Sequence, residues 1–177
     1  KKEIILSKLK IELGIFTEKI FARKCIIKKI SSEDSNSFLD ENHLIGKDKS
    51  SVKIALYYND EVVSLMTFKK VKTGYNLNRF CNKKETIVIG GFSKLLKYFQ
   101  RNYKYDFIES FSDNRYSNGN VYSKNNFILD SNVKPSYWYV FGVKRYHKFN
   151  FRKKEILKKF SGKYILNESM TEDEMMK

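Results

Sequence analysis

Apolar and polar residues alternate along this chain with two different periods, and each change of period marks a new element. In residues 2–13 (KEIILSKLKIEL), Ile4, Ile5, Leu9 and Leu13 recur at helical spacing between lysines, and Gly14 follows. This predicts an amphipathic helix that needs a surface to pack on. Residues 20–30 (IFARKCIIKKI) are rich in β-branched and aromatic residues, as a strand requires. Ser31 or Ser32, with Glu33 and Asp34 in the first turn, starts a second helix that reaches Asn42. Two strands then flank Asn59-Asp60-Glu61, Val52–Tyr58 and Val62–Phe68, and turn formers between apolar runs predict a hairpin. A third strand, Tyr75–Phe80, sets Tyr75, Leu77 and Arg79 against Asn76, Asn78 and Phe80.

The middle of the chain carries the sharpest change. A β-branched run from Thr86 stops at Gly90 and Gly91, after which Phe92, Leu95, Leu96 and Phe99 recur at helical spacing. The pattern predicts an extended segment turning tightly into a helix whose first turn is bare of side chains. Open backbone N–H groups there suit an anion such as phosphate; the plainer reading is that two glycines merely permit a tight connection. Next come a strand at Phe107–Phe111, a loop from Ser112 to Gly119 and a short helix at Asn120–Asn125. A strand at Phe127–Val133, broken by Pro135, precedes a last one at Tyr137–Val143. Phe149, Phe151, Ile156, Leu157 and Phe160 then suggest a basic amphipathic helix, and the acidic tail Asn167–Lys177 has no evident core partner. The pattern divides into a linker helix at 1–19, an α/β domain at 20–143, and a basic helical extension with acidic tail at 144–177.

Charge narrows the class of partner. Thirty-five basic and twenty acidic residues give a net charge of +15, which points to a polyanion. Lys134 to Lys163 holds ten basic residues and the single acid Glu155, so nine of those fifteen charges sit in one segment. Lys144, Arg145, His147, Lys148, Arg152, Lys153 and Lys154 are the candidate phosphate contacts, with Tyr137, Trp138, Tyr139 and Tyr146 as stacking faces. Against this, Trp138 and Phe141 read as core residues of the last strand. Arg115 and Tyr116, in an Asn- and Ser-rich loop, are further candidates for a base or backbone contact. Cys25 and Cys81 are far apart and read as reduced thiols of a cytoplasmic protein. No apolar run approaches a membrane span, and no P-loop, dinucleotide fingerprint, catalytic triad or metal-ligand spacing is visible. His43 and His147 lie about a hundred positions apart and share no ligand spacing.

The order helix, hairpin, strand, glycine turn, helix, strand, short helix, strand resembles the acyl-CoA-dependent N-acetyltransferase fold over residues 20–143. Tyr122-Ser-Lys-Asn-Asn-Phe127 is similar to that family's Tyr-x-Lys-x-Gly-Phe ending, with Asn126 at the glycine. The resemblance implies a mixed, mostly antiparallel sheet flanked by helices. It places Gly90, Gly91, Ser93 and Lys94 at a coenzyme A diphosphate, with Tyr122 as general acid. The turn departs from the family pattern: Ile87 stands where a basic or amide residue belongs, and Phe92 where a small residue admits the diphosphate.

A second resemblance spans nearly the whole chain, through Ala22-Arg-Lys-Cys25, His43 to Ser51, Arg79-Phe-Cys81, Ile89 to Phe99, Arg115 to Asn120, Lys134 to Tyr139 and Arg145 to Phe149. These stretches resemble the C-terminal region of phage-encoded homing endonucleases whose nuclease core is similar to very-short-patch repair enzymes. The resemblance implies a DNA-binding, targeting module with a degenerate acetyltransferase-like fold, no cofactor, and a nuclease domain upstream in the same polypeptide. No cutting residue carries over, because that motif lies outside these positions. The alternatives are an active acyl-CoA-dependent N-acyltransferase, with acyl-CoA as cofactor, and a plain interaction domain.

Overall fold

Two residues, Asn59 and Asp60, set the register of the main sheet. Both hold positive φ (49° and 60°) and join β3 (Val52–Tyr58) to β4 (Glu61–Val71) through a two-residue turn. Positive φ at both positions matches the right-handed twist of the strands, and Asn and Asp tolerate it. The computed structural model describes residues 1–114, 117–133, 137–160, 167 and 169–175. The chain forms two compact units, Lys1–Leu129 and Asp130–Lys177.

In the first unit the five-stranded sheet runs β2 (Ile26–Lys29), β3, β4, β5 (Gly74–Asn82) and β7 (Ile108–Ser110). All pairs are antiparallel except β5 with β7, which are parallel and paired only from Tyr75 to Leu77. Helix α2 (Ser32–Asn42) starts where the Ser31 side chain accepts from the Asp34 amide at 3.0 Å. It covers one face, packing Leu39 with Ala55 and Leu65. Helix α3 (Gly91–Asn102) covers the other, where Phe92, Leu95, Leu96 and Phe99 meet Ile54, Leu56, Met66, Phe68 and Leu77. Phe99 stacks on Phe68 with ring centroids 3.6 Å apart. The first unit is therefore the mixed, mostly antiparallel sheet with flanking helices that the resemblance to the acetyltransferase fold implies.

Strand β5 does not alternate as the sequence suggests. Leu77 pairs with Phe68 and Arg79 with the adjacent Thr67, so Asn78 is an extra residue, a bulge. The bulge shifts the phase, and Leu77 and Phe80 both reach the α3 core while Arg79 turns to the α2 side. The run 20–30 also differs from a single strand: β1 (Glu18–Phe21) pairs in parallel with β6 (Thr86–Ile89), a 3-10 turn follows at Ala22–Lys24, and β2 resumes beyond it. Helix α1 (Lys2–Glu12) buries Ile4 and Ser7 but leaves Leu9 and Leu13 exposed. Polar contacts fasten it instead: Ser7 Oγ accepts from the Glu85 amide at 2.7 Å, and Lys10 pairs with Glu85. Helix α4 (Asn120–Ser123) forms as expected, but Phe127–Val133 forms no strand, and Ile128 and Leu129 are exposed.

The second unit opens with β8 (Trp138–Phe141) and β9 (Lys144–His147), an antiparallel hairpin turning at Gly142 (φ 57°) and Val143. Tyr137–Val143 is thus half of a separate ribbon, not a last strand of the main sheet. The basic extension begins as strand β9 and a 3-10 turn at Lys148–Phe151 before becoming helical in α5 (Lys153–Phe160). The tail is not without a partner: α6 (Glu172–Met175) packs on α5, and Met175 is buried. Thr171 and Glu174 cap it reciprocally, the Thr171 amide donating to Glu174 Oε2 at 2.6 Å and the Glu174 amide to Thr171 Oγ1 at 3.3 Å.

Candidate nucleic-acid interface

Side chains alternate across the β8–β9 ribbon, and the two faces have different chemistry. On one face Tyr139 lies opposite Tyr146, and both meet Phe151, at 4.6 and 6.0 Å between centroids. On the other face Trp138 lies opposite His147, their rings edge-to-face at 4.9 Å. The row continues in both directions. The Arg145 guanidinium lies 5.2 Å from the centre of the Trp138 ring; His147 meets Phe149 at 4.5 Å, and the Arg152 guanidinium covers Phe149 at 4.0 Å. Arg145, Trp138, His147, Phe149 and Arg152 thus form one unbroken run of ring and cation contacts. Tyr137 belongs with the other face, where its ring meets Tyr139 edge-to-face at 5.7 Å and the Lys148 ammonium stands 5.0 Å from its centre.

This row is open to solvent. Trp138 keeps 46% of its surface exposed and Phe149 52%, which corrects the expectation that Trp138 is a core residue. The physical reason is that β8 pairs only with β9, in a two-stranded ribbon that is not built into the main sheet and its core. His147 Nδ1 accepts from the Phe149 amide at 3.3 Å, which leaves Nε2 as the ring's donor. Lys144 shares the face of Tyr139 and Tyr146, on the opposite side of the ribbon from Arg145. Lys153 and Lys154 stand in the first turn of α5, and the Lys153 charge also acts on Glu174 of α6. The side chain of Phe141 and all of Arg115, Tyr116 and Lys134 lie outside the described residues.

Phe149 was assigned by its apolarity to an amphipathic helix, and its place in the row is the residue that pattern reading missed. The signal was present as period two: Arg145, His147 and Phe149 are spaced as neighbours on one strand face.

The glycine turn of the first unit is built differently. Gly90 holds φ +76°, and a Cβ on Gly91 would come within 3.0 Å of Val88 Cγ1, so one glycine serves the turn and the other the close packing. No side chain caps α3. Lys94 does not face the turn's exterior: its ammonium donates to the carbonyls of Ala22 and Cys25 at 2.9 and 2.6 Å. Phe92 is buried with Phe80 and Tyr122 edge-to-face around it at 5.0 and 5.7 Å. Phe80 lies on the part of β5 that β7 no longer pairs, and Tyr122 touches Ser110, the last residue of β7. The three rings therefore fill the angle where β5 and β7 part. Ser110 Oγ stands 3.0 Å from both Leu77 O and the Tyr122 hydroxyl. A carbonyl only accepts, so the Ser110 proton serves Leu77 and the Tyr122 proton serves Ser110. Asn126, at the family's glycine, takes the left-handed conformation a glycine would (φ 63°).

A polar network on the α2 side was also not foreseen. Asp48 accepts from Thr67 Oγ1 at 2.7 Å, Ser50 Oγ at 2.7 Å and Asn78 Nδ2 at 2.8 Å. Burial alone would raise its pKa, but these bonds outweigh burial and hold the carboxylate below its usual range. Beside it Arg79 donates to the Gly46 carbonyl. His43 is held near a pKa of about 4, first by burial and then by the charges of Arg79, Lys8 and Lys1. These bonds hold the loop after α2 against the sheet. Among the described residues no three His, Cys, Asp or Glu side chains gather as a metal would need, and no helix is long and apolar enough to cross a membrane.

No protein-family model and no curated protein sequence matches this chain. In structure the chain is similar to a possible acetyltransferase from Clostridium difficile 630, at 15% identity and a TM-score of 0.44, over 68% of this chain and 98% of that one.

Proposed function

We propose that this chain is a DNA-binding, targeting module of a phage-type homing endonuclease, with an acetyltransferase-like fold that no longer transfers an acyl group and works in the host cytoplasm. The observation that carries the reading is the exposed row Arg145–Trp138–His147–Phe149–Arg152, in the segment that concentrates the positive charge. Guanidinium groups on exposed rings suit a ligand that offers phosphates and flat bases together. Two placements support the absence of acyl transfer. The Lys94 ammonium is already bound to two carbonyls, and Phe92, Phe80 and Tyr122 fill the angle between β5 and β7 into which a cofactor's thiol arm would have to pass.

Duplex binding measured against salt tests the reading. The logarithm of the affinity should fall linearly with the logarithm of salt, by about 0.9 for each phosphate neutralised. Lys153→Glu with Lys154→Glu should weaken all DNA sequences alike. A weak, salt-independent interaction overturns the proposal, and protection of the Gly90–Ser93 amides by coenzyme A restores the acyltransferase reading.

A further inference from the structure

We infer that the Trp138 face of the β8–β9 ribbon takes unpaired bases, so that the DNA this chain holds is strand-separated at the point of contact. The inference rests on the DNA reading above and deepens it. The argument begins with what a duplex offers. Phosphates line its outside while base faces are stacked away, so a site built for intact duplex needs cations and hydrogen-bonding edges, and gains little from ring faces. An unstacked strand offers the base faces themselves, and aromatic platforms beside cations are the means of holding them.

This surface has the second composition. Trp138 and Phe149 are each about half exposed. Each carries a cation on its ring, Arg145 and Arg152 in turn. Leaving such rings in water forgoes the burial energy that the inner face of the same ribbon collects with Tyr139, Tyr146 and Phe151. The groups that could read a base edge are few: the row's donors are its two guanidiniums, the Trp138 indole N–H and His147 Nε2. A stack of bases on Trp138 and Phe149 would leave Arg145 and Arg152 beside the strand's phosphates, the two positions where charge is needed. The sequence-independence of ring faces fits a positioning role, since every base has one.

Trp138 is the only tryptophan in the chain, so its emission reports on this surface alone. The test titrates the full chain with an oligothymidylate of about 12 nucleotides, with an oligouridylate of the same length and with a blunt duplex, following both affinity and Trp138 emission. The single DNA strand should bind more tightly than the duplex and quench Trp138. Trp138→Ala should weaken the strand by roughly 5- to 150-fold, the span of about 1–3 kcal/mol for one stacked base, with little change for duplex. Trp138→Phe should recover much of the loss, because it restores a platform. Arg145→Gln should instead reduce the salt slope by about one phosphate's worth. Tighter duplex binding with unchanged Trp138 emission overturns this inference and leaves the DNA reading standing. Equal losses for strand and duplex in Trp138→Ala also overturn it. Preference for oligouridylate overturns the assignment to DNA, and no binding of any of the three overturns both readings.

Discussion

The two units use the same residue types for opposite ends. In Lys1–Leu129 the aromatics are interior: Phe99 is fully buried, stacked on Phe68 at 3.6 Å and on Tyr103 at 4.8 Å, and the Lys94 ammonium is tied down by two carbonyls. In Asp130–Lys177 Trp138 and Phe149 face water, and guanidiniums lie on them. A ring packed on other rings and covered by a helix contributes stability, whereas a half-exposed ring beside a cation is available to a ligand. Composition is therefore silent about which residues bind; the neighbours decide.

The largest test of that contrast is Phe99→Ala. Removing a fully buried ring from the centre of the α3 core should cost about 3–5 kcal/mol in urea unfolding followed by far-ultraviolet circular dichroism. A loss under about 1 kcal/mol would mean that the stack carries no weight. The second test is acid. Since folding depresses the His43 pKa from 6.5 to about 4, its contribution is full above pH 6.5 and is lost as pH falls toward 4, because the unfolded chain takes the proton first. The loss for this one group should reach roughly 3 kcal/mol, and it should be absent in His43→Asn; equal acid sensitivity in both proteins contradicts the burial of this imidazole. Third, Gly90→Ala forces a Cβ into the left-handed region at φ +76° and should cost about 1–2 kcal/mol, read as a lowered urea midpoint. The smallest expected change is the most telling. Trp138→Ala should alter stability by less than about 1 kcal/mol, since the residue gives up only an exposed cation–ring contact and an edge-to-face pair. A larger loss would place Trp138 among the residues that hold the second unit together and weaken its claim as a binding surface.

Much of the first unit was legible because its signals are local. Asn59-Asp60 could only be a turn, Ser31 with Asp34 a helix start, and the spacing of Phe92, Leu95, Leu96 and Phe99 a helix face. What escaped depends on partners distant in sequence. The bulge at Asn78 is set by its pairing with β4, and no property of Asn78 alone announces it. Phe127–Val133 has strand composition, yet composition supplies no neighbour to pair with, and none is found. The charge run named Arg145, His147 and Arg152, which the structure brings into one row, but not the order in which they stand, because the ribbon's faces are fixed by the turn at Gly142 and Val143. The tail's short helix was readable after all, since Thr171-x-x-Glu174 is a capping signature that its acidity overshadowed.

The single surplus residue at Asn78 reaches beyond its own strand. Taking it into the ladder opposite Thr67 would slip everything downstream on β5 by one place and exchange its sides: Phe80 would leave the rings of Phe92 for the neighbourhood of Asp48, and Cys81, whose thiol burial now pushes up to about 12, would face α3. One inserted amino acid is thus what lets Leu77 and Phe80, an odd number of positions apart, serve the same helix while Arg79 turns to the opposite layer. Ironing that residue flat would turn the inside of the protein out along a whole edge.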